Sequence, residues 1–146
     1  MHKIFGIKEY SEYRDRKGAY LIPFEDGLIR IVKIPRGLFL IGGGIEEGET
    51  DADCIARECA EETGYTVRID EKIGSAETYT VHSLYGPFHP IQTYYTGKLL
   101  AKNTEPIEKD HELLMLPYSE LKGKLFSQMQ NWALDEAVKL LQRKER

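Results

Sequence analysis

The sequence predicts an α/β fold, with a mixed β-sheet lying between helices. Three observations lead there. Short apolar and β-branched runs, separated by turn residues, recur on both sides of one central helical stretch. That stretch carries its own start and stop residues. A second segment of helical period closes the chain. At 146 residues the length fits one domain, 1–146, with enough chain for a real core.

Residues 1–17 are polar and mixed, and read as an approach segment with a short edge strand. Gly18–Phe24 and Leu28–Ile34 are strand-like, and Glu25-Asp26-Gly27 between them is a hairpin turn. Pro35-Arg36-Gly37 marks a second turn, and Leu38–Ile41 a short buried strand. Gly42, Gly43 and Gly44 then form a loop in which positive φ or close backbone approach is allowed. The central helix follows. Thr50 is its N-cap, Asp53 the partner in a capping box, and Gly64 the C′ residue that ends it. Ala52, Ile55, Ala56 and Cys59 make its narrow apolar stripe.

Thr66–Ile69 and Ile73–Val81 read as two further strands. His82–Pro90 reads as a loop, because Gly86, Pro87 and Pro90 interrupt regular structure. Ile91–Leu100 returns as a strand. Residues 102–111 form a polar connection to a short strand, Glu112–Leu116, ended by Pro117. One helical turn, Ser119–Lys122, precedes Gly123. The last helix runs from about Phe126 to Arg143, its apolar face made by Phe126, Met129, Trp132, Ala133, Ala137, Leu140 and Leu141. Arg143, Lys144 and Arg146 suit its C-terminus electrostatically.

Composition sets limits on function. Hydrophobic content of 41% and charged content of 30% are ordinary for a globular protein. A net charge of −4 gives no basic footprint for nucleic acid, so neither sequence-independent nor sequence-specific binding is expected. An anionic substrate would be repelled unless divalent cations supplied positive charge at the site. Cys54 and Cys59 lie five residues apart and point in different directions, so no disulfide is expected. The sequence shows no leader, apolar 18-mer or lipidation motif, and a cytoplasmic protein without a membrane partner is expected.

The chemistry concentrates on the central helix. Glu58, Glu61 and Glu62 fall together at i, i+3 and i+4, where three carboxylates repel one another. An acidic helix face is ordinarily just solvated. A cation between these groups would relieve the repulsion, and hard oxygen ligands on a rigid element suit Mg2+ or Mn2+. Arg57 can pair with Glu61 one turn on, or fold back to Glu49 and tie loop to helix. The spacing favours function over a solvated face. Gly43, Glu49, Arg57, Glu58, Glu61, Glu62 and Gly64 stand as in G-x5-E-x7-R-E-U-x-E-E-x-G-U, with Cys59 and Tyr65 at the U positions. Seven fixed positions at roughly one in twenty each put coincidence well below about one in a million. The stretch resembles the Nudix box of the Nudix hydrolase family.

That resemblance implies a Nudix-type α/β/α sandwich with a catalytic loop–helix. It implies a MutT-like, Mg-dependent hydrolase that cleaves the diphosphate linkage of a nucleoside triphosphate or another nucleoside diphosphate derivative by metal-activated water. Glu58, Glu61 and Glu62 then hold the metal, helped by a backbone carbonyl near Gly42. Arg57 and Glu49 orient the cluster. The general base is Glu58 or a residue outside the box. Glu108, Asp110 and Glu112 are the candidates, with Glu112 preferred because it opens a strand. Tyr85, Phe88 and His82, near Gly86 and Pro87, are candidates for binding the substrate; Tyr79 and Tyr94 read as core. Tyr79, Thr80 and Val81 do not clearly fill the positions that mark ADP-ribose and dinucleoside-polyphosphate subfamilies. Many family members dimerise, which leaves a homodimer open. The alternative is a non-catalytic nucleotide sensor on the same fold, which usually comes with a degraded box, whereas every charged box position is intact here. A prenyl diphosphate isomerase would need a cysteine outside the box, and the chain has none.

Overall fold

The computed structural model describes residues 1–145; Arg146 of the basic tail lies outside them. The strands are β1 (His2–Phe5), β2 (Arg14–Glu25), β3 (Leu28–Ile34), β4 (Gly37–Phe39), β5 (Ile41–Gly44), β6 (Tyr65–Thr78), β7 (Thr80–His82), β8 (Gly86–Lys102) and β9 (Glu112–Pro117). The helices are α1 (Asp51–Thr63), α2 (Tyr118–Leu121) and α3 (Gln128–Lys144).

Strand β2 is the spine. Residues 18–23 are buried without a break, as in a strand covered on both faces, and its side chains alternate between two cores. Ala19 and Leu21 join Cys54, Ile55 and Cys59 of α1. Tyr20 and Ile22 join Met129, Ala133, Leu134 and Ala137 of α3. A helix on each face of a mixed sheet gives the α/β/α sandwich that the sequence predicts. The main sheet runs β1-β6-β8-β2-β5, with β1 parallel to β6, β2 parallel to β8, and the remaining pairs antiparallel. At its far end β2 turns through Asp26 (φ 52°) and Gly27 (φ 78°) into β3. Positive φ at both residues is the primed turn that matches strand twist. Strand β3 then lies between β4 and β9 in an antiparallel layer.

The structure corrects several boundaries. Gly42–Gly44 is not a loop: it is strand β5, paired with Gly18–Tyr20 of β2. The chain crosses between layers two residues before Gly42, at Leu40, whose N–H donates to the Gln130 side chain of α3 at 2.8 Å. Thr66–Ile69 and Ile73–Val81 are not two strands. They belong mainly to one strand, β6, whose register shifts around Lys72 absorb the intervening polar residues. His82–Pro90 forms most of a hairpin, because β7 pairs with the start of β8. Pro87 precedes the ladder with β2, which begins at Phe88, so its missing N–H costs nothing there. On α1 the buried face is Cys54, Ile55, Cys59, Glu62 and Thr63; Ala52 and Ala56 are exposed. Phe126 precedes α3 and stacks on Phe39 with 5.3 Å between ring centroids. Cys54 and Cys59 are buried and free.

Candidate active site

Helix α1 presents the acidic residues on a well-capped frame. Thr50 accepts from the Asp53 amide and Asp53 from the Thr50 amide, both at 3.1 Å. Gly64 ends the helix at φ 80° with its N–H on the Ala60 carbonyl. Both pairings open to Arg57 occur together. Its Nε and Nη2 grip Glu49 at 2.6 and 3.0 Å, a two-point contact that only a planar guanidinium makes. Its Nη1 reaches Glu58 at 2.8 Å and Glu61 at 3.3 Å, and Nη2 also donates to the Gly44 carbonyl at 3.0 Å. One cation thus ties the strand end, the connection and the helix together. The Arg57 hydrogen bond holds the Glu49 carboxyl below its ordinary range.

Glu62 is different. It is only 5% exposed, and Oε1 accepts from the Gly42 amide at 3.1 Å. Burial pushes its carboxyl up to about 9, against the Gly42 hydrogen bond and with help from Glu58, Glu108 and Glu61. Burial also raises Glu58, which Arg57 opposes and Glu61 and Glu108 reinforce. Glu58, Glu62, Gly42, Gly43 and Tyr20 line a cleft of about 400 Å³. Gly43 belongs there because a Cβ would sit 2.5 Å from the Glu58 carboxyl carbon.

Not every expected residue reaches this cleft. Glu61 turns to Arg57 and is not in its lining, and neither is Glu112. Glu112 is exposed at the start of β9, opposite Lys33 of β3. Glu108 and His111 take that place. Their connection is docked on the end of α1: Ile107 and Glu108 amides donate to the Glu61 carbonyl at 2.8 and 3.0 Å, and Asn103 and Thr104 amides to Gly64. Sequence gave no sign of this docking, since both acceptors are backbone groups. Among the described residues, Glu108, Asp110 and His111 are the one acidic and histidine trio whose ligand atoms lie within 4.8 Å of one another. The helix carboxylates do not meet so closely, because Arg57 draws Glu58 and Glu61 aside while Gly42 holds Glu62.

His82, Tyr85 and Phe88 gather elsewhere. With Arg14, Asp15, Arg16 and Arg36 they line a second cavity of about 510 Å³. Arg16 borders both spaces. The arginines were missed in the sequence, although Arg14 and Arg16, two residues apart at the start of a strand, share one face by strand period. Tyr94 is fully buried core, and Tyr79 stacks on His89 at 4.3 Å.

The donor set fits a hard divalent cation. It offers carboxylate oxygens, one of them buried and without a basic partner of its own, and nothing soft facing the cleft. No helix among the described residues is long and apolar enough to cross a membrane. Solved structures share the fold. A NUDIX hydrolase from Nitrosomonas europaea superposes with a TM-score of 0.72 at 16% identity, over 86% of this chain and 90% of that one. A MutT NUDIX hydrolase from Burkholderia pseudomallei gives 0.71 at 21%, over 84% and 98%. A UDP-X diphosphatase gives 0.69 at 17%, over 94% and 68%. No curated protein matches the sequence. A NUDIX domain profile matches residues 15–137, a span that contains the capped helix, its arginine and the acidic cleft, and the chain belongs to the NUDIX family.

Proposed function

We propose that this NUDIX hydrolase splits the diphosphate linkage of a small nucleoside diphosphate derivative, a nucleoside triphosphate or a related compound, with Mg2+ or Mn2+ as cofactor. The observation that carries the reading is Glu62. A carboxyl buried in a cleft wall, with one amide donor and no basic side chain, is costly to ionise until a cation faces it.

Glu58 and Glu62 would hold the ion, with Glu61 beside them on the helix and the backbone at Gly42 opposite. When bound, a divalent ion neutralises phosphate oxygens and lowers the pKa of water. The remaining work falls to the chain. Arg57 and Glu49 fix the helix carboxylates. Glu108, held against the end of α1, is the preferred acceptor for the proton of the attacking water, and Glu58 the second candidate. In-line attack on phosphorus then needs mainly positioning and charge stabilisation.

The test is a hydrolysis panel with purified protein: nucleoside triphosphates including oxidised dGTP, ADP-ribose, nucleotide sugars, dinucleoside polyphosphates and NADH. Each is assayed with Mg2+, Mn2+ and EDTA, beside Glu62→Gln. Metal-dependent release of a nucleoside monophosphate, lost in the variant, is the expected result. Metal-dependent binding without turnover of any compound would replace the hydrolase by a nucleotide sensor.

A further inference from the structure

We infer that the cavity beside the acidic cleft is a phosphate subsite built from Arg14, Arg16 and Arg36, and that it selects substrates with a phosphate beyond the scissile diphosphate. The substrate assignment rests on the hydrolase reading above; the subsite itself does not.

Four observations converge. First, the chain carries a net charge of −4, yet three guanidinium groups line one cavity of about 510 Å³. Second, these groups lack acidic partners. Among the described residues the arginines in ion pairs are Arg30, Arg57 and Arg68. The one carboxylate in the lining, Asp15, is engaged with His89 Nδ1 at 2.9 Å. Three guanidinium groups beside a single carboxylate leave an excess of positive charge, which an anion relieves.

Third, the aromatic groups there are already in use. The Arg14 guanidinium lies over the Tyr85 ring at 4.1 Å, and the His82 ring stacks on Tyr85 at 4.5 Å. Phe88 stands at an angle to His82, and Arg36 lies over Phe126 at 4.9 Å. These rings orient guanidinium groups through cation–π contact. Tyr85, between Arg14 and His82, is covered on both sides, and Phe126 at the rim holds Arg36, so charge dominates the cavity. Fourth, Arg16 borders both the cavity and the cleft of Glu58 and Glu62. An anion in the cavity is therefore adjacent to a diphosphate in the cleft. A guanidinium fork suits phosphate oxygens in two-point contact.

Two readouts test this on the full chain. The first is calorimetric titration of inorganic tripolyphosphate in EDTA, which removes any metal contribution. The wild-type protein binds. Arg14→Ala with Arg36→Ala weakens binding by about tenfold or more, and Glu62→Gln leaves it intact. Both arginines are exposed, so the double variant stays folded, with a cooperative melt lowered by no more than the two lost cation–π contacts. Absence of binding by the wild type, or equal binding by the double variant, overturns the subsite. The second readout is kcat/KM for a nucleoside triphosphate relative to a nucleotide sugar of the same base. The ratio falls by about tenfold or more in the double variant; an unchanged ratio overturns the selectivity. A chain that turns over nothing but binds tripolyphosphate through its arginines supports the subsite and overturns the hydrolase reading instead.

Discussion

Arg57 and Glu62 do opposite work on one helix. Arg57 spends its guanidinium on Glu49, Glu58, Glu61 and the Gly44 carbonyl, so it sets where the carboxylates stand without facing the cleft. Lysine keeps the charge but cannot span these partners. Arg57→Lys should lower metal affinity by about 10–100-fold, with kcat largely restored at high metal concentration. A metal titration of activity checks it; a kcat that stays low at saturation would give Arg57 a role at the reacting atoms. Glu62 is buried, so it is not the solvated helix carboxylate that its acidic neighbours suggest. Burial pushes its folded-state carboxyl up to about 9 against an ordinary 4.5. The metal-free folded protein therefore holds that proton more tightly than the unfolded chain does. This contribution to stability is full below about 4.5, declines as pH rises, and is lost through about 9. Glu58 shifts in the same direction. Melting temperatures measured in EDTA from pH 5 to pH 9 should fall less steeply for Glu62→Gln than for the wild type, while the variant loses metal-dependent turnover. Parallel curves would sink the assignment.

At the scale of elements, β5 and α1 form one unit, and adjacent glycines separate two ways of breaking it. Gly42 has φ 150°, and a Cβ there would stand 2.3 Å from the Ala19 carbonyl oxygen, which backbone pairing holds in place. Gly42→Ala should destabilise the fold by about 2–4 kcal/mol through strain and overpacking. At Gly43 the clash is with the Glu58 carboxyl, the end of a flexible side chain. Gly43→Ala should cost less than about 1.5 kcal/mol and yet displace Glu58, so activity falls while stability largely holds. Denaturant melts beside turnover assays decide it; equal stability losses would mean that the two glycines serve the same backbone role. The helix half of this unit was legible in the sequence, because Thr50, Asp53 and Gly64 act locally, and the carboxylate spacing is a property of one helix. The strand half was not. Three glycines look like a loop until a partner strand, about two dozen residues upstream, demands close approach. The same holds for the hairpin at Gly86–Pro87, where turn residues open a strand, and for Glu108 over Glu112, where backbone docking on Gly64 and Glu61 chose between two acidic residues.

For the whole molecule, the charge distribution matters more than its sum. Acidic groups from α1 and from the 103–111 connection converge on one cleft, and arginines from β2 and the β3–β4 turn, without ion-pair partners among the described residues, line the next. Assembly of the sandwich brings these segments together and so stores repulsion on both sides of Arg16. On the reading proposed above, a divalent ion in the cleft would relieve carboxylates that Arg57 and the Gly42 amide hold apart. Binding to the folded state alone stabilises it by about 2.7 kcal/mol at a hundredfold excess over Kd. For a chain of this length that is a rise in melting temperature of about 8 °C. Mg2+ or Mn2+ should produce it in the wild type, reverse on adding EDTA, and fall short in Glu58→Gln. NaCl at equal ionic strength should not, because screening acts weakly on buried or half-buried charges. If NaCl matched Mg2+ in differential scanning calorimetry, the stabilisation would be general screening of an acidic protein, and the cleft would lose its claim to a bound ion.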